Sequence, residues 1–257
     1  MTSFSTDIEF FFVTLASIFN PCFNNKENKT MRKTTIIALL ATLLVCMSCG
    51  DGEYKEADGT ICYTYWTFSF GTLSHPLPEV NPATFINVKD WLGHDDHHVY
   101  FKQYLVKGAD AATLKAKKYP LFCDKNDYYY MTAPLHVADV KTFKVVKQFE
   151  DNIWAKDSRY AYFDSLRIDS VDVKTFRVKS YSAAIDKNHV FYYGKILPLA
   201  DPKTYDAEWK WVYSRDKSHI WYCGELLKDV DYDSFEVDKE GNASDKFGKF
   251  KGSERLK

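Results

Sequence analysis

A chain of 257 residues can bury a substantial core, either as one large domain or as two small ones. Lys and Arg number 34 against 35 Asp and Glu, a formal net charge of −1, so no basic field points to a nucleic-acid partner. Aromatic residues make up 17% of the chain, mostly Tyr and Phe, and such side chains fit a pleated, half-buried surface, which favours strands.

Residues 1–30 contain an apolar run, Phe10 to Phe19, without a basic segment before it. They are read as an over-extension of the gene, with Met31 the authentic start. From Met31 the order is a basic pair (Arg32, Lys33), an apolar run from Ile36 to Val45, and small Ser48 before Cys49. That order predicts a secretory signal over 31–48, too short for an ordinary membrane span. It resembles bacterial lipoprotein signals, in which cleavage precedes a Cys that becomes acylated, and it marks Cys49 as the lipidation residue. Cys46 departs from that pattern, standing where Leu, Val or Ile is usual. Four basic residues (Lys26, Lys29, Arg32, Lys33) and three acidic ones (Asp7, Glu9, Glu27) lie upstream, leaving 30 against 32 in the mature chain. With Cys49 acylated, Cys62, Cys123 and Cys223 remain; three cannot all pair, so a disulfide scaffold is excluded.

Residues 49–60 are polar and glycine-bearing, and are expected to be a tether. Residues 61–94 are read as a degenerate repeat. Its Leu77–Phe85 run, L-P-E-V-N-P-A-T-F, matches L-P-L-A-D-P-K-T-Y (Leu197–Tyr205) slot for slot, with Asn81 in the Asp position and Trp66 where a first Asp should stand.

Residues 95–240 hold five full copies. In each, an Asp (Asp95, Asp124, Asp157, Asp186, Asp216) is followed fifteen residues later by a second Asp (Asp110, Asp139, Asp172, Asp201, Asp231). Three residues further stands Thr113, Thr142, Thr175, Thr204 or Ser234. Starts are 29, 33, 29 and 30 residues apart, a period that signals a repeat architecture. Around the first Asp, apolar triplets flank a short polar run, as in Leu121-Phe122-Cys123 before D-K-N-D and Tyr128-Tyr129-Tyr130 at its end. This predicts a β-hairpin, because Asp and Asn bond the local backbone and tolerate left-handed geometry. The second Asp, with Pro202 after it in one copy, reads as the cap of a single helical turn. Alternation after it (Phe143/Val145, Phe176/Val178, Phe235/Val237) predicts a further strand. Each unit is thus about three short strands and one capped turn, unable to bury its apolar side without neighbours. Residues 241–257 are polar and Lys-rich, and are expected to fray.

These residues resemble the DKNYY family, whose motif is carried best by D-K-N-D-Y-Y-Y (Asp124–Tyr130) and D-K-N-H-V-F-Y (Asp186–Tyr192); the resemblance runs from about residue 77 to residue 240. Asp157-Ser158-Arg159 and Asp95-Asp96-His97 depart from the motif. The resemblance implies a bacterial envelope repeat protein, often a lipoprotein, with no established activity and no catalytic residues to carry over.

Three constellations invite chemistry. His94-Asp95-Asp96-His97-His98 has metal-ligand residue types. But Asp95 is the repeat's turn Asp, and His98 shares a slot with His189 and His219, so a solvated turn is expected and no metal. The Asp pairs lie fifteen apart with strands between, unlike a calcium loop, and five identical pairs fit structure better than one differentiated catalytic site. The third is an aromatic row, Tyr100, Tyr129, Tyr162, Phe191 and Trp221, with Phe101, Tyr130, Phe163, Tyr192 and Tyr222 in the adjacent slot. Adjacent strand residues face opposite sides, so the first row is either a stacking platform for a glycan or peptide or, preferred, a buried inter-repeat ladder.

The expectation is an all-β tandem array of hairpin repeats of about 30 residues. An open solenoid-like stack is favoured over a propeller-like ring because a four-stranded blade usually needs about 40 to 45 residues. Functionally, the chain is expected to be a non-enzymatic lipoprotein of the cell envelope, lipid-anchored in the outer membrane or at the cell surface, presenting its surface to a protein or glycan. The alternatives are a purely structural envelope component or an enzyme with a site in an inter-repeat groove. No cofactor, metal or nucleic acid is expected.

Overall fold

The computed structural model describes residues 52–210 and 212–256. Cys49, and with it the signal over 31–48, lies outside them. The described residues form short antiparallel strands in seven separate sheets, none closed into a barrel. They divide into two compact units, one ending at Val173 and the other beginning at Lys174.

In the first unit, β1 (Glu53–Ala57), β2 (Thr60–Thr67) and β3 (Gly71–Pro76) make a three-stranded sheet. Three four-stranded meanders follow. The first is β4 (Ile86–Lys89), β5 (Leu92–His94), β6 (Val99–Phe101) and β7 (Tyr104–Val106). The second is β8 (Lys115–Ala116), β9 (Leu121–Cys123), β10 (Tyr128–Tyr130) and β11 (Ala133–Pro134). The third is β12 (Lys144–Phe149), β13 (Asn152–Lys156), β14 (Ala161–Phe163) and β15 (Leu166–Ile168).

The second unit repeats the pattern three times. Its first meander is β16 (Arg177–Val178), β17 (Ala183–Ile185), β18 (Val190–Tyr192) and β19 (Lys195–Ile196). Then come β20 (Asp206–Lys210), β21 (Tyr213–Arg215), β22 (Ile220–Tyr222) and β23 (Glu225–Leu226). The last is β24 (Glu236–Val237), β25 (Ala243–Asp245), β26 (Gly248–Lys251) and β27 (Glu254–Arg255).

The predicted hairpins are present: Cys123 pairs with Tyr128 across the D-K-N-D turn, and Ile185 with Val190 across D-K-N-H. Each sheet straddles the sequence period. The strand after a capped turn, such as β8 after Thr113, pairs with the first strand of the next copy, and a short strand after the hairpin, such as β11 on β10, makes four strands where three were expected. Thirty residues suffice for four strands because many are only two or three residues long. Tight loops help; Tyr193-Gly194 and Cys223-Gly224 both turn with two positive φ angles (46° and 75°, 50° and 81°), which Gly accommodates in the second place without a Cβ clash.

Two boundaries differ from expectation. Glu53–Ala57, placed in the tether, pairs residue by residue with Thr60–Thr64, because an alternating stretch beside an edge strand gains a full ladder of backbone bonds. The tail, expected to fray, supplies β25 to β27, and Ala243 and Phe250 are buried there. The degenerate copy also keeps a hairpin. Thr67 takes the turn role, its hydroxyl accepting from Phe70 N at 3.2 Å and donating to Gly71 O.

The core lies between successive sheets. In the first unit, Val99 and Phe101 pack with Phe122 and Tyr129, and Leu121 and Leu135 pack with Ile153 and Tyr162. In the second, Ile185 and Leu197 pack with Trp221, and Tyr213 and Ile220 with Val237 and Phe250. Strands covered on both faces explain why triplets such as Leu121-Phe122-Cys123 and Val99-Tyr100-Phe101 are apolar throughout.

Candidate functional site

The five turn Asp residues are buried, at 1–3% exposure. Each carboxylate turns its own hairpin. Asp157 Oδ1 accepts from Arg159 N and Tyr160 N, both at 2.7 Å, and Asp95, Asp124, Asp186 and Asp216 accept from the corresponding two amides. The second oxygen reaches back to the preceding copy. Asp95 Oδ2 accepts from Asn81 N, Asp124 Oδ2 from Asp110 N, Asp157 Oδ2 from Ala138 N and Asp216 Oδ2 from Asp201 N, at 2.7–2.8 Å.

The hydroxyl residue of the period completes the joint. Thr84, Thr113, Thr142, Thr175, Thr204 and Ser234 each accept the backbone N–H just after the turn Asp of the following copy. Lys125 and Lys217, the K of D-K-N and D-K-S, reach back to the capping carboxylates of Asp110 (2.6 Å) and Asp201 (3.2 Å). Lys125 and Thr113 hold the Asp110 carboxyl below its usual range. The capping role is present as expected: Asp110 accepts from Thr113 N before the 3-10 turn Ala111–Thr113, and Asn81 accepts from Ala83 N before Pro82–Thr84. Thus the Asp-to-Asp-to-Thr spacing encodes a clamp between copies.

Burial alone would raise the Asp157 carboxyl, yet the Tyr162 hydroxyl and three backbone amides outweigh it and hold it below the ordinary carboxylate range. Asp95 is lowered in the same way against its burial, by the amides of Asn81, His97 and His98. Tyr129 and Tyr162 donate their hydroxyls to Asp124 and Asp157, at 3.0 and 2.6 Å, and burial with those carboxylates pushes both phenols up.

The aromatic row Tyr100, Tyr129, Tyr162, Phe191 and Trp221 is 0–3% exposed and offers no ring face to a ligand. The row is core: Tyr129 packs towards the preceding sheet, while Tyr130, in the neighbouring slot, packs towards the following one. The histidines do not converge. His94 Nδ1 contacts Asp95 O at 2.7 Å, His97 lies 3.4 Å from Asp96, and His98 lies 3.3 Å from Asp95 and 3.7 Å from Glu79. His219 repeats the His98 contact at 3.4 Å from Asp216. Among the described residues no group of three or more His, Cys, Asp or Glu side chains is arranged to hold a metal ion. Cys62 and Cys123 are buried free thiols.

Two features escaped the sequence reading. Asp245 forms one more clamp: it accepts from Phe247 N and Asp231 N, and Arg255 grips it through two bonds of 2.5 and 2.6 Å. That guanidinium holds the carboxyl far below the usual carboxylate range. Its signal was there to read, since Asp245-Lys246 begins 29 residues after Asp216. The second is an open groove of about 800 Å³ along the joint between the Asp95 and Asp124 copies and onward to Lys141. Its walls carry Lys115, Lys117, Lys125 and Lys141 around Tyr128, with Lys117 Nζ 5.9 Å from that ring's centroid.

Short antiparallel meanders, joined by buried Asp clamps and stacked on shared aromatic layers, define a tandem β-repeat protein. The DKNYY family model matches residues 94–222, and the chain belongs to that family. No curated protein and no solved structure matches it.

Proposed function

We propose that the chain is a non-enzymatic, lipid-anchored protein of the bacterial cell envelope that presents its repeat surface to a protein or glycan partner. One observation carries the non-enzymatic part: both oxygens of the repeated turn carboxylates are engaged by backbone amides, so the residues that recur serve the joints. Binding then falls to positions where copies differ. The groove around Tyr128 is one such concavity, and its Lys115, Lys117 and Lys141 side chains are suited to acidic groups of a glycan or protein. Anchoring rests on the Met31–Cys49 order, with Asp51 and Glu53 placed as in acidic export tags of surface lipoproteins.

Mass spectrometry of the chain from bacterial membranes should find Cys49 as an acylated N-terminal residue; an unmodified or uncleaved Cys49 would overturn the anchor. A glycan array and a pull-down with the same protein should return a partner whose capture weakens when Lys115, Lys117 and Lys141 are replaced by Ala. Hydrolysis of an envelope polymer by the purified protein would overturn the non-enzymatic reading.

A further inference from the structure

The β2–β3 hairpin ends in W-T-F-S-F, and its three aromatic side chains stand in solvent: Trp66 is 47% exposed, Phe68 69% and Phe70 73%. Trp66 and Phe68 meet edge to face at 6.3 Å, and Thr67 bonds both arms of the turn, so the rings are presented on a built tip. Large apolar groups clustered outward in this way mark a contact with something less polar than water.

The path of the chain says what that is. Strand β1 begins at Glu53, opposite Thr64, and runs antiparallel to β2. Followed backwards from Glu53 it heads along β2 towards the tip, and Trp66 lies only two residues beyond Thr64. Cys49 is four residues upstream of Glu53, so it can lie no more than about 14 Å from it even fully extended. Strand β1 therefore begins at the end of the sheet that carries the aromatic tip, with Glu53 four residues after the proposed anchor residue. Trp and Phe on a turn are suited to the boundary between headgroups and acyl chains, where a ring's apolar body is buried without desolvating backbone.

We propose that the Trp66–Phe68–Phe70 tip inserts into the bilayer interface beside the acylated Cys49, holding the first sheet against the membrane. This rests on the anchoring reading above, and the test separates the two. The full-length gene carrying Phe68→Cys is expressed in bacteria, and the processed protein is labelled at residue 68 with a polarity-sensitive fluorophore. It is then reconstituted in phosphatidylcholine vesicles containing nitroxide-labelled acyl chains. A Lys141→Cys chain serves as the comparison, and the parent chain, treated identically, gives the background from native thiols. Quenching at residue 68 should exceed that at residue 141 several-fold, with a blue-shifted emission. Equal, weak quenching at both sites overturns the insertion. So does a residue 68 shielded from aqueous iodide yet untouched by the lipid nitroxide, which would place protein on the tip. Mass spectrometry of the same preparation reads acylation of Cys49 independently. An unacylated chain with a quenched tip overturns the anchor and supports the insertion, while an acylated chain with an unquenched tip overturns the insertion alone.

Discussion

A buried carboxylate is normally a liability, and Asp157 shows how this chain makes it an asset. Its two oxygens accept from Arg159 N, Tyr160 N, Ala138 N and Tyr162 Oη, all within 2.7 Å. Removing the acceptor strands several donors in a place water reaches poorly, so Asp157→Ala is expected to cost about 3–5 kcal/mol, read as a lowered urea midpoint. A loss below about 1 kcal/mol would mean the clamp is decorative. The charge also sets a pH dependence. The folded carboxyl titrates below the unfolded one, so its stabilisation is intact above the ordinary carboxylate range and is lost as pH falls through the folded value.

Asp164, in the β14–β15 turn, has the opposite sign. Burial pushes its carboxyl up to about 6, only partly offset by Ile153 N and the Asn152 amide. The fold binds that proton more readily than the unfolded chain does, so the stabilisation is greatest at acid pH and fades as pH rises from the unfolded value through about 6. Asp164→Asn should remove roughly 1–2 kcal/mol of that slope, visible as a flatter plot of thermal stability between about pH 4 and 6.5. Asn tolerates the positive φ of 51° at this position, so the substitution tests charge without straining the turn.

At the scale of elements, the hairpins and capped turns were legible because each is a local device. D-K-N-D and D-K-N-H fold on themselves, and Asn81-Pro82 announces a cap without its neighbours. What the sequence did not disclose was the partner of each device. The amide that fills Asp124 Oδ2 belongs to Asp110, 14 residues away, and nothing local distinguishes that bond from solvent. The same limit hid the fourth strand, since β11 is only Ala133–Pro134 and acquires its identity by pairing with Tyr130 and Tyr129. It also hid the last sheet, whose polar residues read as a fraying end until Arg255 is seen closing on Asp245. The Asp245 side chain is fully buried, so Arg255→Ala leaves a carboxylate short of its countercharge. That should destabilise the last sheet and speed hydrogen exchange across Ala243–Arg255. Unchanged exchange there would show that the sheet holds without the ion pair.

For the molecule, the placement of the cores sets how stability is distributed. Cores lie between sheets, so an interior sheet such as β8–β11 is covered on both faces, while among the described residues the β1–β3 sheet shares a core with the next meander alone. The free thiols report on this. Cys62 belongs to the three-stranded sheet that opens the first unit, and Cys123 to a meander in its middle. In mild denaturant Cys62 should react with a maleimide before Cys123, as resolved by peptide mass mapping. Equal rates would show instead that the unit opens as one block. The aromatic row is committed to the interior, so the outer surface is made by the residues that vary from copy to copy.

The clamp also governs how such an array can change its length. From Asp124 to Asp157 the period stretches to 33 residues, and the added residues go into the long β12–β13 ladder. The joint itself slips by one amide, Ala138 N taking the place of Asp139 N, and stays closed. Hairpin tips are therefore free ends at which residues can be gained or lost. The stretch from a turn Asp to its capping Asp works as a fixed gauge, and an odd residue inserted there would turn strand faces over and misalign the next clamp. A lineage can lengthen this protein by whole copies or by tip insertions, and the grammar tolerates little in between.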